Sequence, residues 1–227
     1  MSIYRNELKF LCTEREFVLL EGRINAVMLP DSYGGGKPYS VRSVYFDDYE
    51  NSCMCENEAG ISKRNKFRIR IYNGDNSFIR LEIKSKNNGY GKKESGILAL
   101  ETCCQYIKGI PEQITEDLPH VRRRLSLEMA LRGLHPVNIV EYERKAFTYP
   151  HGNVRITFDR NISCTPKVGD FLKESVYLTP IMPKGLHVLE VKYDEFLPDF
   201  IAGLLEIGTL ERTAFSKYYF ARCCTYS

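Results

Sequence analysis

Four segments of this chain carry a charged residue at every second position, and this pattern most constrains the fold. The sharpest is Arg64-Asn65-Lys66-Phe67-Arg68-Ile69-Arg70-Ile71-Tyr72. Its even positions hold Arg64, Lys66, Arg68 and Arg70, and its odd positions hold Phe67, Ile69 and Ile71. Residues two apart in a β-strand share a face, so one face of this strand is cationic and the other apolar. Arg80-Leu81-Glu82-Ile83-Lys84-Ser85-Lys86 repeats the pattern, as do Glu190-Val191-Lys192-Tyr193-Asp194 and Arg5-Asn6-Glu7-Leu8-Lys9. One such strand is an ordinary solvent-facing strand. Four from distant parts of the chain predict a sheet whose charged faces converge, which suits a polyanion and a divalent metal.

The remaining sequence supplies the other elements. Residues 4–11 read as a strand, and Thr13 with Glu16 forms a capping box that opens a helix. Its apolar stripe is Phe17, Leu20, Ile24 and Val27, and Pro30 ends it. Strands are predicted over 40–46, 64–73, 78–86, 137–148, 154–160 and 187–194, with another around Lys92-Lys93-Glu94-Ser95. Asn73-Gly74-Asp75-Asn76 is hairpin-turn chemistry, Asn87-Asn88-Gly89-Tyr90-Gly91 a flexible turn, and Tyr149-Pro150-His151-Gly152-Asn153 a third turn. Residues 47–60 read as a short helix or loop. Helices are expected over 99–133, 198–207 and 215–222, with Leu118, Val121, Leu125, Met129 and Leu131 among the buried residues of the first. About eight strands joined largely by hairpins, with helices between them, make an α+β fold. An eight-stranded antiparallel sheet can close as a barrel. Here its apolar face would lie outside, under helices, and its charges inside, where unpaired ions cost several kcal/mol each (of order, per ion) unless a ligand offsets them.

The chain has 227 residues, 43% hydrophobic and 27% charged, which fits one domain spanning residues 1–227. A formal net charge of +3 is weak, so anion binding must come from local clustering, and a dedicated nucleic-acid protein is disfavoured. Arg122-Arg123-Arg124 reads as a solvated helix face, because consecutive helical residues point in different directions. No segment reaches the roughly 20 apolar residues that span a bilayer, and no signal-peptide core follows Met1, so a cytoplasmic location is expected. The eight cysteines fit no zinc spacing and read as reduced structural thiols. His120, His135, His151 and His187 show no ligand spacing. Gly34-Gly35-Gly36-Lys37 lacks the full phosphate-loop pattern and precedes a strand, so it is discounted.

Arginine suits phosphate because its planar fork makes two parallel charge-assisted bonds, and lysine serves as a movable point charge. Glutamate among such cations either neutralises them or ligates Mg²⁺ or Mn²⁺. Glu7, Glu82 and Glu190 each stand two residues before a lysine: Lys9, Lys84 and Lys192. Periodicity alone leaves open whether these are salt-bridge ladders on a solvated face or a phosphate and metal site.

Eight short motifs, in order, resemble the catalytic domain of the vacuolar transporter chaperone (VTC) family, within the triphosphate tunnel metalloenzymes (CYTH-like). They are Tyr4-Arg5-Asn6-Glu7-Leu8-Lys9-Phe10, Val44-Tyr45-Phe46-Asp47, Lys66-Phe67-Arg68-Ile69-Arg70-Ile71-Tyr72, Leu81-Glu82-Ile83-Lys84, Tyr142-Glu143-Arg144-Lys145-Ala146-Phe147, Val154-Arg155-Ile156-Thr157-Phe158-Asp159, Leu189-Glu190-Val191-Lys192 and Phe215-Ser216-Lys217-Tyr218. The resemblance implies an eight-stranded antiparallel tunnel lined with basic residues that makes inorganic polyphosphate from ATP. It implies that Lys9, Arg68, Arg70, Lys84, Arg144, Arg155 and Lys217 contact the reacting phosphates. Lys92 or Lys93 joins them, with Lys66, Arg80, Lys86, Lys192 and Arg212 as further phosphate-binding candidates. Glu190 is implied as the principal ligand of Mn²⁺ or Mg²⁺, with Glu7 and Glu82 as weaker candidates. Two positions depart from related patterns. CYTH hydrolases and cyclases begin E-x-E-x-K, where this chain has Arg5 first, which leans toward VTC. The family's terminal motif has a lysine where Ala214 stands here, and Arg212 is the nearest replacement. The expected partners are ATP and polyphosphate, without nucleic acid. A triphosphate hydrolase and a non-catalytic polyphosphate-binding module are the alternatives.

Overall fold

The computed structural model describes residues 5–87 and 90–226. Tyr4 of the first motif, and Asn88 and Gly89 of the expected flexible turn, lie outside the described residues. The strands are β1 (Asn6–Thr13), β2 (Leu29–Pro30), β3 (Tyr39–Asp47), β4 (Arg64–Tyr72), β5 (Asp75–Asn87), β6 (Tyr90–Leu98), β7 (His135–Tyr149), β8 (Val154–Thr165), β9 (Thr179–Pro180), β10 (Leu186–Tyr193) and β11 (Glu211–Arg212). The helices are α1 (Glu14–Asn25), α2 (Ser52–Glu58), α3 (Leu100–Ile107), α4 (His120–Arg132), α5 (Asp199–Leu205) and α6 (Lys217–Tyr226). β2, β9 and β11 are two residues each, which leaves eight long strands among the described residues, the number the sequence predicts.

The chain forms two compact units, each assembled from three segments. The first unit comprises Met1–Ser40, Tyr142–Ile162 and Met182–Ser216. Its strands run in the order β11-β1-β10-β8, with antiparallel pairings. Leu8, Phe10, Ile156, Phe158, Leu189 and Val191 lie on its apolar side and pack with Phe17, Leu20 and Ile24 of α1 and Ile201 and Leu205 of α5. α1 begins as predicted: the Thr13 hydroxyl accepts the Glu16 N–H, and the Glu16 carboxylate accepts the Thr13 N–H at 2.8 Å. It ends at Asn25, short of Pro30, so Val27 falls beyond the stripe and is exposed.

The second unit comprises Val41–Glu141, Ser163–Ile181 and Lys217–Ser227. β3, β4, β5 and β6 form an antiparallel meander in sequence order. β4 and β5 are joined through Asn73 and Gly74, both at positive φ (51° and 67°), which is what a tight two-residue hairpin requires. Phe67, Ile69, Ile71, Ile79, Leu81 and Ile83 pack under Cys103 and Tyr106 of α3 and Leu125 and Met129 of α4. The expected single helical stretch over 99–133 is two helices. Gly109 takes φ +75°, and residues 110–119, with Pro111 and Pro119, run without helix. Leu131, expected to be buried, is 75% exposed, because α4 turns it away from the sheet.

Each unit therefore places an apolar sheet face under helices and turns its charged residues to the other face, as the alternation predicts. All eight cysteines are free. His187 lies 2.6 Å from Glu14, and His135 stacks on Tyr49, so both have structural partners. No helix among the described residues is long and apolar enough to cross a membrane.

Candidate phosphate-binding faces

In the second unit, strand register gathers the cations. Residues directly opposite in an antiparallel pair project to the same side. β4 sets Arg64 opposite Lys86, Lys66 opposite Lys84, Arg68 opposite Glu82 and Arg70 opposite Arg80. β5 then sets Lys84 opposite Lys93 of β6. Arg64, Lys66, Arg68, Arg70, Arg80, Lys84, Lys86 and Lys93 thus share one face with a single carboxylate of these strands, Glu82. Like charges directly opposite each other are destabilising.

Glu82 organises the buried end of this ladder. Its side chain is 1% exposed. Arg68 donates to its Oε2 through Nε at 2.7 Å, with a second guanidinium nitrogen at 2.6 Å; Arg70 reaches the same oxygen at 3.6 Å. Lys93 contacts the other oxygen. Burial alone would raise the Glu82 carboxyl, but Arg68, Arg70 and Lys93 hold it far below the usual carboxylate range. Burial pushes the Lys93 ammonium down to about 8, against the pull of Glu82 and with help from Arg68 and Arg70. β3 adds two residues the sequence reading missed. Ser43 accepts a hydrogen bond from Arg70 at 3.0 Å, and the Tyr45 hydroxyl accepts one from Arg68 at 3.2 Å. Burial would raise the Tyr45 phenol; Arg68, Arg70 and Lys217 outweigh it and hold the phenol below its ordinary value. Lys217, the first residue of α6, is buried, and its neighbour Tyr218 packs its ring 5.3 Å from that of Tyr45 and donates to Asp47. Lys66 donates to Asn57 and sits 5.5 Å from the Tyr218 ring. The alternation within β3 carries Tyr45 beside Ser43 on this face, but their partners Arg68 and Arg70 lie 23 and 27 residues away, beyond local pattern.

Lys92 takes the opposite face from Lys93. It pairs with Glu94 at 3.2 Å, and Glu94 also binds Arg124 of α4, so Lys92 belongs to the helix-covered side. The register of β6 settles which of the two lysines joins the ladder.

The first unit carries a second charged face. β1 sets Glu7 opposite Lys192 and Lys9 opposite Glu190, and β10 sets Glu190 opposite Thr157 and Lys192 opposite Arg155. Glu190 is buried and contacts Lys192 at 2.7 Å, Arg144 at 3.8 Å and Lys9 at 3.9 Å. Lys9 also lies 3.3 Å from Glu7 and donates to the Phe215 carbonyl at 2.9 Å. Arg144 makes a bidentate pair with fully buried Asp159, at 2.6 and 2.7 Å. Burial would lower the Arg144 guanidinium, but Asp159, Tyr142 and Glu190 keep it firmly charged. β7 places Tyr142 and Arg144 inward, while Lys145 turns to Glu21 of α1. Arg155 donates to Asp31 at 2.7 Å and to the Tyr39 hydroxyl at 3.2 Å. The sequence reading gave no role to Asp31, Tyr39 or Asp159, although Asp159 shares its strand face with Arg155 and Thr157.

Arg212 departs from expectation. It lies opposite Phe10 in the β1–β11 pair, so it projects to the side away from Lys9 and is exposed. It cannot stand in at this face for the lysine replaced by Ala214.

Among the described residues, no three Asp, Glu, His or Cys side chains gather as a metal cage. Mg²⁺ and its analogues commonly use one or two carboxylates, with water and phosphate completing the shell. Glu190 and Glu7, both directed at Lys9, fit that donor set. Glu82 offers less of it, because it is the single carboxylate that β4, β5 and β6 set on their charged face.

The VTC domain model matches residues 4–226. No curated protein matches the chain. Among solved structures, one similar chain is a Hippeastrum protein described as adenylyl cyclase HpAC1 with a dominant triphosphatase activity. It is 16% identical with a TM-score of 0.57, over 98% of this chain and 97% of that one. A Bacillus halodurans protein assigned as an adenylate cyclase is 12% identical with a TM-score of 0.51, over 91% and 88%. These likenesses give the fold: α+β, an antiparallel sheet with helices on its apolar face, of the triphosphate tunnel class. With a family match running from residue 4 to residue 226, the chain belongs to the VTC domain family.

Proposed function

We propose that this chain synthesises inorganic polyphosphate from ATP by metal-dependent phosphoryl transfer, with release of ADP. The cation ladder across β4, β5 and β6 carries the reading. Arg64–Lys86, Lys66–Lys84–Lys93 and Arg70–Arg80 are like-charge neighbours, and Glu82 offsets only part of their charge. A bound polyanion relieves that repulsion, and the membership of the VTC family makes polyphosphate the fitting one.

In the proposed reaction, a terminal phosphate oxygen of a polyphosphate chain attacks the γ-phosphorus of ATP. One P–O bond forms, the bond from the γ-phosphorus to its bridging oxygen breaks, and ADP leaves with the electron pair. The attacking oxygen is already ionised, so no protein base is needed. Positioning and electrostatics supply most of the rate in such transfers. Arg68 and Arg70, fixed by Glu82, and Arg144, fixed by Asp159, present guanidinium groups whose orientation is set before the phosphates arrive. Lys9, Lys84, Arg155 and Lys217 complete the proposed contacting set; Lys66, Arg80, Lys86, Lys93 and Lys192 extend it. Glu190, with Glu7, would hold Mn²⁺ or Mg²⁺, which neutralises phosphate charge when bound.

Incubation of the purified chain with ATP and Mn²⁺ tests the reading, followed by a gel stained for polyphosphate and assays of ADP and orthophosphate. Long chains with matching ADP are expected. Hydrolysis is the second reading, favoured by the triphosphatase activity described for the Hippeastrum protein of like fold. Orthophosphate without chains would replace polymerisation with hydrolysis. Neither product, with Mg²⁺ and a short primer also supplied, would leave a polyphosphate-binding module.

A further inference from the structure

The glycine-rich loop between β2 and β3 is tied to the charged face of the first unit through one carboxylate. Asp31 Oδ1 accepts the Gly34 N–H at 3.0 Å. Asp31 Oδ2 accepts from Arg155 at 2.7 Å and from the Tyr39 hydroxyl at 3.1 Å. Burial pushes the Tyr39 phenol up, against nearby Arg144 and Arg155, so it keeps its proton and donates it to Asp31. The loop path is fixed by its glycines. A Cβ on Gly34 would lie 2.6 Å from the Lys37 carbonyl oxygen and 2.9 Å from the Tyr39 ring, and Gly35 and Gly36 take φ of +53° and +85°. A glycine stretch that fails as a phosphate loop thus has another use: it holds Tyr33 against Tyr39. The two rings are 5.0 Å apart at 58°, with Tyr39 buried beneath and Tyr33 47% exposed.

We propose that Tyr33 is the stacking platform for the nucleobase of a nucleoside triphosphate whose phosphates reach Arg155. The inference rests on the ATP-dependent reading above and names how that substrate is told from inorganic phosphate chains. Arg155 touches the Tyr39 hydroxyl, and the Tyr33 ring packs against the Tyr39 ring. The buried Tyr39 therefore contacts both an exposed aromatic ring and the guanidinium proposed above to meet phosphate. Stacking on an aromatic ring is tolerant of base identity because every base offers a π-face. The platform therefore accepts adenine and guanine nucleotides alike and adds nothing to the binding of a chain that has no base.

Calorimetric titration of the full chain with ATP, GTP and inorganic tripolyphosphate tests the platform. Tyr33→Ala should weaken ATP and GTP about tenfold, the size expected of one stacked base. It should leave tripolyphosphate unchanged, and Tyr33→Phe should bind all three as the parent does. Equal ATP affinity in Tyr33→Ala and parent would overturn the platform, as would equal losses of ATP and tripolyphosphate, which mark a purely structural loop. A parent chain that binds tripolyphosphate but no nucleotide would overturn the ATP-dependent reading itself, and the platform with it.

Discussion

Glu82 faces Arg68, Arg70 and Lys93 at once, so its removal leaves three cations without their shared anion. Glu82→Gln should cost about 3 kcal/mol, the low end for breaking a buried pair, since Arg68 still reaches solvent. For a chain of this size that lowers Tm by about 6–12 °C, measurable by calorimetry. The folded Glu82 carboxyl titrates well below its unfolded value of 4.5. Its stabilisation is therefore complete above that pH and drains away as pH falls below it toward the folded value. The Tm gap between parent and Glu82→Gln should accordingly narrow in acid, and a gap constant from pH 7 to pH 3 would refute this account. Lys93 makes a different prediction. Its folded value of about 8 lies below the ordinary 10.5, so between those values the unfolded chain holds more protons and this lysine's contribution to stability rises with pH. An arriving phosphate group favours the charged ammonium. Binding of tripolyphosphate near pH 9 should then take up a proton, seen as a dependence of binding heat on buffer ionisation enthalpy. Lys93→Met should remove that dependence.

Among the elements, α1 is the clearest case of local sequence dictating structure. The Thr13–Glu16 capping box and the stripe Phe17, Leu20, Ile24 seat the helix on β8 and β10 side chains. Thr13→Ala should lower stability by about 1 kcal/mol, or about 2–4 °C in Tm, without changing anion affinity. A loss of tripolyphosphate binding would show that the cap does more than seat the helix. Strands were legible for the same local reason: Phe67, Ile69 and Ile71 alternate with Lys66, Arg68 and Arg70, and the alternation survives in the structure. The stretch over 99–133 was harder to read, because Leu118, Leu125 and Met129 extend an apolar pattern across residues 110–119, where Pro111 and Pro119 interrupt the helix. Lys92 and Lys93 could not be told apart beforehand, since a one-residue change of register exchanges the two faces of β6. Arg212 was misplaced for a related reason: β11 is two residues long, too short to show alternation. The anchors Asp31 and Asp159 were silent because their arginines stand 124 and 15 residues away.

For the whole molecule, a net charge of +3 conceals two strongly charged faces, so bulk charge says little about what the chain binds. Ligand that binds only the folded state stabilises it by about 2.7 kcal/mol at one hundred times its dissociation constant. Tripolyphosphate at that level should raise Tm by about 5–10 °C, and 0.5 M salt should erase most of the gain by screening. Orthophosphate at equal concentration should give far less. An equal shift from both anions would argue that the faces bind phosphate singly and do not grip a chain.

The like-charge rows of β4, β5 and β6 have a consequence for anyone who breeds this protein for robustness. Replacing Lys86 or Arg80 with a neutral residue removes a like-charge pairing across β4 and β5, so such variants should survive heating better than the parent. Screens that reward heat resistance alone would therefore collect changes along these rows first. The survivors would be durable proteins that had let go of the anion these rows are proposed to hold.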